Sequence, residues 1–307
     1  MAPRIAFTSL LLPLDGSRLA ESVLPAAESI ARRFGSRVTL IHVIEDRPPT
    51  TVHGERHLTR RDDAERYLAT IADRLRSAGI ETVTHVHDAP EGDIAKSVVA
   101  HSEEFSPDLV VLTSHGQEGF KGLVYGRIAE QVLSRGNCPV LLIPSVESGN
   151  APAFEPRSVL TPIDGVHNCD DGLEAAAQMA ARFGAEIHLV LVVPTMSTLS
   201  GREHRTGVLL PSTMRAMLEL AERNSADYLA AQAERLRAQG LEVTTEVLRG
   251  DTVFAVLGEA VRMRAGLIVL TGHGRAGLQA LLAGSVTHGI AHRAWCPLLL
   301  IRSPGEE

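Results

Sequence analysis

The chain has 307 residues, 44% of them hydrophobic and 22% charged, with a formal net charge of −7. That balance is typical of a folded globular protein long enough for two cores. With 30 Lys and Arg against 37 Asp and Glu, and aromatics at only 4%, it offers neither the cationic excess nor the stacking surfaces that nucleic-acid binding needs. The apolar run Leu10-Leu11-Leu12 is broken by Pro13, and no apolar stretch approaches the roughly 18–20 residues of a membrane span. A cytoplasmic chain without signal peptide or membrane contact is expected. Three cysteines, Cys138, Cys169 and Cys296, have no CxxC spacing and predict neither a disulfide framework nor a metal site.

Residues 5–14 read as a first strand that ends at Asp15-Gly16-Ser17. Residues 19–34 carry apolar side chains at helical spacing and stop at Gly35, with Pro25 marking a kink or a later true start. Residues 38–44 are strand formers. A second helix over 61–78 places Ala64, Leu68, Ile71 and Leu75 on one face and ends at Gly79. Residues 82–87 alternate as a strand, Gly92-Asp93 opens a third helix, and 109–113 form a short apolar strand. A fourth helix over 128–134 and a fifth strand over 140–143 complete the series.

The same landmarks then return in the same order. Leu14-Asp15-Gly16 recurs as Ile163-Asp164-Gly165, Arg33-Phe34-Gly35 as Arg182-Phe183-Gly184, and Gly92-Asp93 as Gly250-Asp251. Cys138-Pro139-Val140 recurs as Cys296-Pro297-Leu298. The offset is 149 for the early landmarks and 158 for the late ones. Repeats of this length are whole domains, here 1–147 and 156–304, joined by a linker over 145–156. From Val193 to Tyr228 the second copy spans 35 positions, against 23 from Ile44 to Tyr67, an insertion of 12. The inserted region, 194–211, is rich in Ser, Thr and Gly and reads as a mobile surface loop or a lid over a ligand. Alternating strands and helices predict two tandem α/β domains, each an open parallel sheet with right-handed crossovers and helices on both faces.

The loop after each fourth strand carries the clearest chemistry. In the second copy Thr271-Gly272-His273-Gly274 is followed, nine residues on, by Gly284-Ser285-Val286-Thr287 opening a helix. Glycines let backbone N–H groups approach a phosphate chain, and a helix N-terminus adds donors and positive polarity. Two ordinary turns with a serine cap would look the same. In the first copy Thr113-Ser114-His115-Gly116 leads to Gly126, but Arg127 follows where Ser285 stands in the second. A guanidinium there can pair with phosphate, fill its space or form an ion pair across the cleft. Asp15 and Asp164 either cap a helix or accept hydrogen bonds from a ribose or base. His115 and His273 lack a partnered nucleophile, so no catalytic residue is assigned. Walker-type and Gly-x-Gly-x-x-Gly loops are missing, which argues against a kinase or a dehydrogenase.

This loop, on this repeated pattern, with an Asp closing the first strand, resembles the universal stress protein family along nearly the whole chain, twice. The resemblance implies a doubly wound five-stranded sheet of order 3-2-1-4-5, with a crevice where the order reverses between strands one and four. It implies ATP, which Mg2+ can accompany through phosphate oxygens. In the second copy phosphates fall on Gly274, Gly284, Ser285, Val286 and Thr287, adenosine lies near Asp164 and Val192, and Thr271 and His273 open the loop. The first-copy counterparts are Asp15, Val43, Thr113, Gly116 and Gly126. The role implied is a sensor or regulator whose partner contacts respond to nucleotide, with an interaction module lacking nucleotide, or a slow ATPase, as alternatives. Fifth strands pair across a two-fold axis in that family, so the two copies are expected to form an intramolecular pseudo-dimer, with dimerisation of whole chains a further expectation.

Overall fold

The computed structural model describes residues 5–45, 51–52, 55–56, 58–89, 104–114, 138–144, 152–165, 170–199, 201–273 and 286–303. Strand β1 (Ser9–Pro13) is shorter than expected. Before it, the amides of Thr8 and Ser9 donate to the carboxylate of Asp108 at 2.8 and 2.9 Å, so a side chain holds the entry to the strand. A 3-10 turn over Ala20–Val23 precedes helix α1 (Leu24–Phe34). The later start is the one adopted: Pro25 lacks an N–H and fits the first turn, where none is needed. Gly35, at φ 70°, closes the helix in the left-handed conformation that glycine adopts without penalty.

Strand β2 (Arg37–Glu45) leads to a two-residue antiparallel ladder, β3 (Thr51–Val52) and β4 (Glu55–Arg56), which the periodicity did not indicate. Helix α2 (Arg61–Ser77), β5 (Thr82–Ala89), β6 (Leu109–Ser114) and β7 (Val140–Pro144) follow. The expected helix start at Gly92-Asp93 and the helix over 128–134 lie outside the described residues. The second copy runs β8 (Ser158–Pro162), α3 (Asp170–Phe183), β9 (Glu186–Val193), α4 (Gly201–Leu209) and α5 (Pro211–Arg237). It closes with β10 (Val243–Arg249), α6 (Thr252–Arg262), β11 (Leu267–His273), α7 (Val286–Ala291) and β12 (Leu298–Ser303).

The inserted region is not the irregular loop that its composition suggested. A turn around Thr195 leads into α4, and Pro211 at the first position of α5 starts a helix of 27 residues, against 17 in α2. Its apolar side chains override the Ser, Thr and Gly content: Leu199, Met214 and Leu218 are buried in the core, the last two one helical turn apart.

Strand order is β10-β9-β8-β11-β12-β7-β6-β1-β2-β5, a single ten-stranded sheet in which each copy contributes the order 3-2-1-4-5. Within this ten-stranded sheet the pairings inside each copy are parallel. The copies meet antiparallel, Leu298 opposite Leu142, Leu299 opposite Leu141 and Leu300 opposite Val140. Alternation sends Leu141, Ile143, Leu299 and Ile301 into one apolar layer and Val140, Leu142, Leu298 and Leu300 into the other. Both layers run through both copies, so the core is continuous across the junction.

Contacts across this junction are reciprocal. Ser29 donates to the carbonyl of Phe154 at 2.7 Å, and its counterpart Gln178 donates to the carbonyl of Ile5. The Arg33 guanidinium lies 4.6 Å from the Phe183 ring and Arg182 lies 5.5 Å from Phe34. Each of these rings is backed on its own side of the junction, Phe34 edge-on by Phe7 and Phe183 by Phe154. Phe154 and Glu155, in the expected linker, are therefore docked on α1, with Glu155 paired to Arg33. Among the described residues no helix is long and apolar enough to cross a membrane.

Candidate functional site: two crevices at the carboxyl edge

In each copy the chain leaves the first strand towards one side of the sheet and later returns to its other side. β8 pairs with β9 on one flank and with β11 on the other, as β1 does with β2 and β6. The flanking loops diverge at such a reversal and leave a crevice beyond the carboxyl ends of the strands.

The ladder registers decide what borders it. Pro162 lies opposite Val190, so Asp164 comes level with Val192; Leu160 lies opposite Ile268, so Ile163 comes level with Thr271. Asp164 is exposed, and Val192 and Thr271 are half-buried on the same edge. The first turn of α3 passes so close that a Cβ on Gly172 would lie 1.8 Å from Thr271 Oγ1; only glycine fits there. His273 ends β11 opposite Ser303. Val286 opens α7 with an exposed side chain, and Thr287 follows, half-buried. Gly274, Gly284 and Ser285 lie outside the described residues.

The first copy aligns the corresponding residues. Pro13 lies opposite Ile41 and Leu11 opposite Val110, which brings Asp15 level with buried Val43 and Leu14 level with half-buried Thr113. Here the aspartate closes a local turn onto Ser17 and caps neither the 3-10 turn nor α1. Asp15 Oδ1 accepts from the Ser17 amide at 2.9 Å and from Ser17 Oγ at 2.6 Å, while Ser17 Oγ accepts from the Ala20 amide at 3.1 Å. Gly116 and Gly126 lie outside the described residues, as does Arg127.

One feature of this crevice was invisible to motif reading. Gly16, at φ 90°, has Leu58 against it, and a Cβ there would lie 2.7 Å from Leu58 Cδ1. His42, buried, has Nδ1 2.7 Å from the Leu14 carbonyl and Nε2 3.1 Å from the Leu58 carbonyl. Residues 42 and 58 share no spacing motif; the polar residue inside the apolar run 38–44 was the only signal.

Other landmarks are structural. Asp251 caps α6, accepting from the Phe254 amide at 3.1 Å. The Cys138 thiol donates to the Pro107 carbonyl at 3.2 Å, and Cys296 is buried. Burial pushes both thiols up to about 12, so neither is a nucleophile at neutral pH.

The model of the universal stress protein family matches residues 6–144 and again 156–302. A universal stress protein of Methanocaldococcus jannaschii is 24% identical over 151 residues, 49% of this chain and 85% of that protein. One of Mycobacterium bovis is 28% identical over 196 residues, 64% of this chain and 62% of its own length. The crystal structure of a universal stress protein from Archaeoglobus fulgidus has the same fold, with a TM-score of 0.69, 21% identity, and coverage of 97% of this chain and 98% of that one. Two successive family matches, one on each half of the ten-stranded sheet, show that this chain belongs to the universal stress protein family, with two of its domains in tandem.

Proposed function

We propose that the chain binds an adenine nucleotide, ATP in the first instance, in the crevice of its second copy, and that binding alters its contacts with a protein partner. The observation that carries this reading is the alignment of Asp164, Val192 and Thr271 on one edge where the strand order reverses. An exposed carboxylate beside a half-buried apolar side chain suits a ribose and a base. The backbone of Gly274, Gly284 and Ser285, with the hydroxyls of Ser285 and Thr287, would receive the phosphates, and Mg2+ would ride on phosphate oxygens. Rapid hydrolysis requires a positioned base or water-orienting group. His273 is the only nearby candidate in the loop sequence, so ATP is assigned a binding role with little turnover.

Titration calorimetry with ATP tests the assignment. Gly284→Asp, which adds a side chain and a negative charge where phosphate would lie, should abolish most of the affinity; undiminished binding would overturn it. Phosphate release above about 1 s⁻¹, the low end of ordinary enzymes, would replace the switch by an enzyme.

A second reading, a protein-binding module that works without nucleotide, is favoured by one observation. Val208, Leu209, Leu210, Met217 and Leu220, on and between α4 and α5, are each exposed, in and just beyond the inserted region. Partner capture that is equal with and without ATP would support it.

A further inference from the structure

A second polar constellation lies on one face of the second copy's sheet, upstream of the crevice. Alternation along β9 and β10 turns Glu186, His188, Thr244 and Glu246 to that face, and the last turn of α6 lays Glu259 and Arg262 over them. His188 and Glu259 are 8% and 4% exposed. His188 Nδ1 lies 2.8 Å from Thr244 Oγ1, and that hydroxyl donates its one hydrogen to Glu186 Oε1 at 2.9 Å. A carboxylate only accepts, so the hydroxyl accepts from the ring and Nδ1 is the donor. The relay fixes the tautomer: in the neutral ring, Nε2 presents a lone pair. Nε2 is sealed from solvent, 2.9 Å from Glu259 Oε1 and 3.9 Å from Glu246 Oε2, and makes no hydrogen bond.

With the ring neutral three lone-pair donors converge, and the second nitrogen of the imidazole is held by a polar relay, as in metal-binding histidines. We propose that His188, Glu246 and Glu259 bind a zinc-class divalent cation. Their ligand atoms lie within 4.8 Å of one another. One imidazole nitrogen and two carboxylates form a three-ligand set that leaves a fourth position for water. His188 precedes Val192 by four residues, about 13 Å along the strand, so the site is separate from the nucleotide crevice. Thr39 stands at the equivalent position in the first copy, which confines the site to the second.

Arg262 tunes it. Its Nη2 lies 2.6 Å from Glu259 Oε1 and pairs with Glu246, and its Nε donates to Glu259 Oε2 at 2.7 Å. Guanidinium and metal compete for the same oxygens, and the 61% exposed Arg262 side chain has open solvent to move into.

The test is zinc titration of the full, untagged chain by calorimetry, with Co2+ absorption reporting coordination. One ion per chain is expected. His188→Gln and the surface change Glu246→Gln should each weaken binding about tenfold or more. Arg262→Gln should tighten it and increase the rise in Tm produced by zinc. Zinc affinity unchanged in both His188→Gln and Glu246→Gln would mean an adventitious ion only and overturn the site. So would the absence of zinc binding in both the parent and Arg262→Gln.

Discussion

In the first copy Leu58 lies against Gly16, and the Asp15 carboxylate is engaged by Ser17. In the second, Leu191 lies nearest Gly165, and the sequence has Val166 where the first copy has Ser17. The His42 that bridges Leu14 and Leu58 is replaced by that same Leu191. Two descendants of one domain have kept the crevice and changed what surrounds it. At the junction the opposite holds: Arg33 and Arg182, Phe34 and Phe183, Leu141 and Leu299 make matching contacts across the pair. A shared interface constrains both copies at once, whereas each crevice can change alone.

The largest effect should come from the junction. Leu141 faces Leu299 in the middle of the antiparallel pair, both fully buried. Aspartate at either position buries an unpaired charge and should cost about 4 kcal/mol or more. Urea unfolding should give the same loss for both variants; clearly unequal losses would break the symmetry argued here. Next comes nucleotide affinity. If ATP binds as proposed, Gly284→Asp should weaken it about 100-fold, while Gly126→Asp in the first copy should leave the tighter site within about twofold. Calorimetry that returns the reverse order would make the first copy the nucleotide site.

A smaller contrast separates the two aspartates. Asp15→Ala should lower stability by about 1–2 kcal/mol through two lost hydrogen bonds and leave ATP affinity unchanged. Asp164→Ala should lower ATP affinity. Equal loss of ATP affinity in the two variants would erase the distinction between turn former and ligand. The smallest contrast concerns the thiols, for which the copies should agree. Each binds its proton more tightly when folded, its pKa rising from 9.0 to about 12. Their contribution is therefore whole below pH 9 and lost as pH climbs towards 12. Cys138→Ala and Cys296→Ala should each reduce that alkaline loss of stability, measured as Tm between pH 8 and 11.

The duplication, the alternation of strand and helix, and the glycines closing helices were legible because each is a local or periodic property of the chain. Pro25, with two readings open, was resolved in favour of a late start by the geometry of a first turn. The segment 194–211 reads by composition as a surface loop or a lid, but it forms a helix over Gly201–Leu209 and leads into another at Pro211, with Leu199 inside it and Met214 and Leu218 just beyond it buried, a gain that exists only once the core is present. The three proposed metal ligands escaped for a related reason. His188, Glu246 and Glu259 sit on a strand, the next strand and the helix after it, too far apart in sequence to form a motif.

By itself, then, the sequence determined two α/β domains and aspartates and glycine loops at corresponding points, because hydrophobic period and turn chemistry are written residue by residue. The tertiary structure alone decided the rest. Pairing Val140–Leu142 with Leu298–Leu300 requires two edges made by separate domains to meet, and the contact of Leu58 with Gly16 depends on how a connection folds back over a strand end. The lone pair of His188 depends on a hydroxyl 56 residues away spending its hydrogen on Glu186. Each of these is set by long-range packing, in which the partner of a residue is chosen by the whole fold.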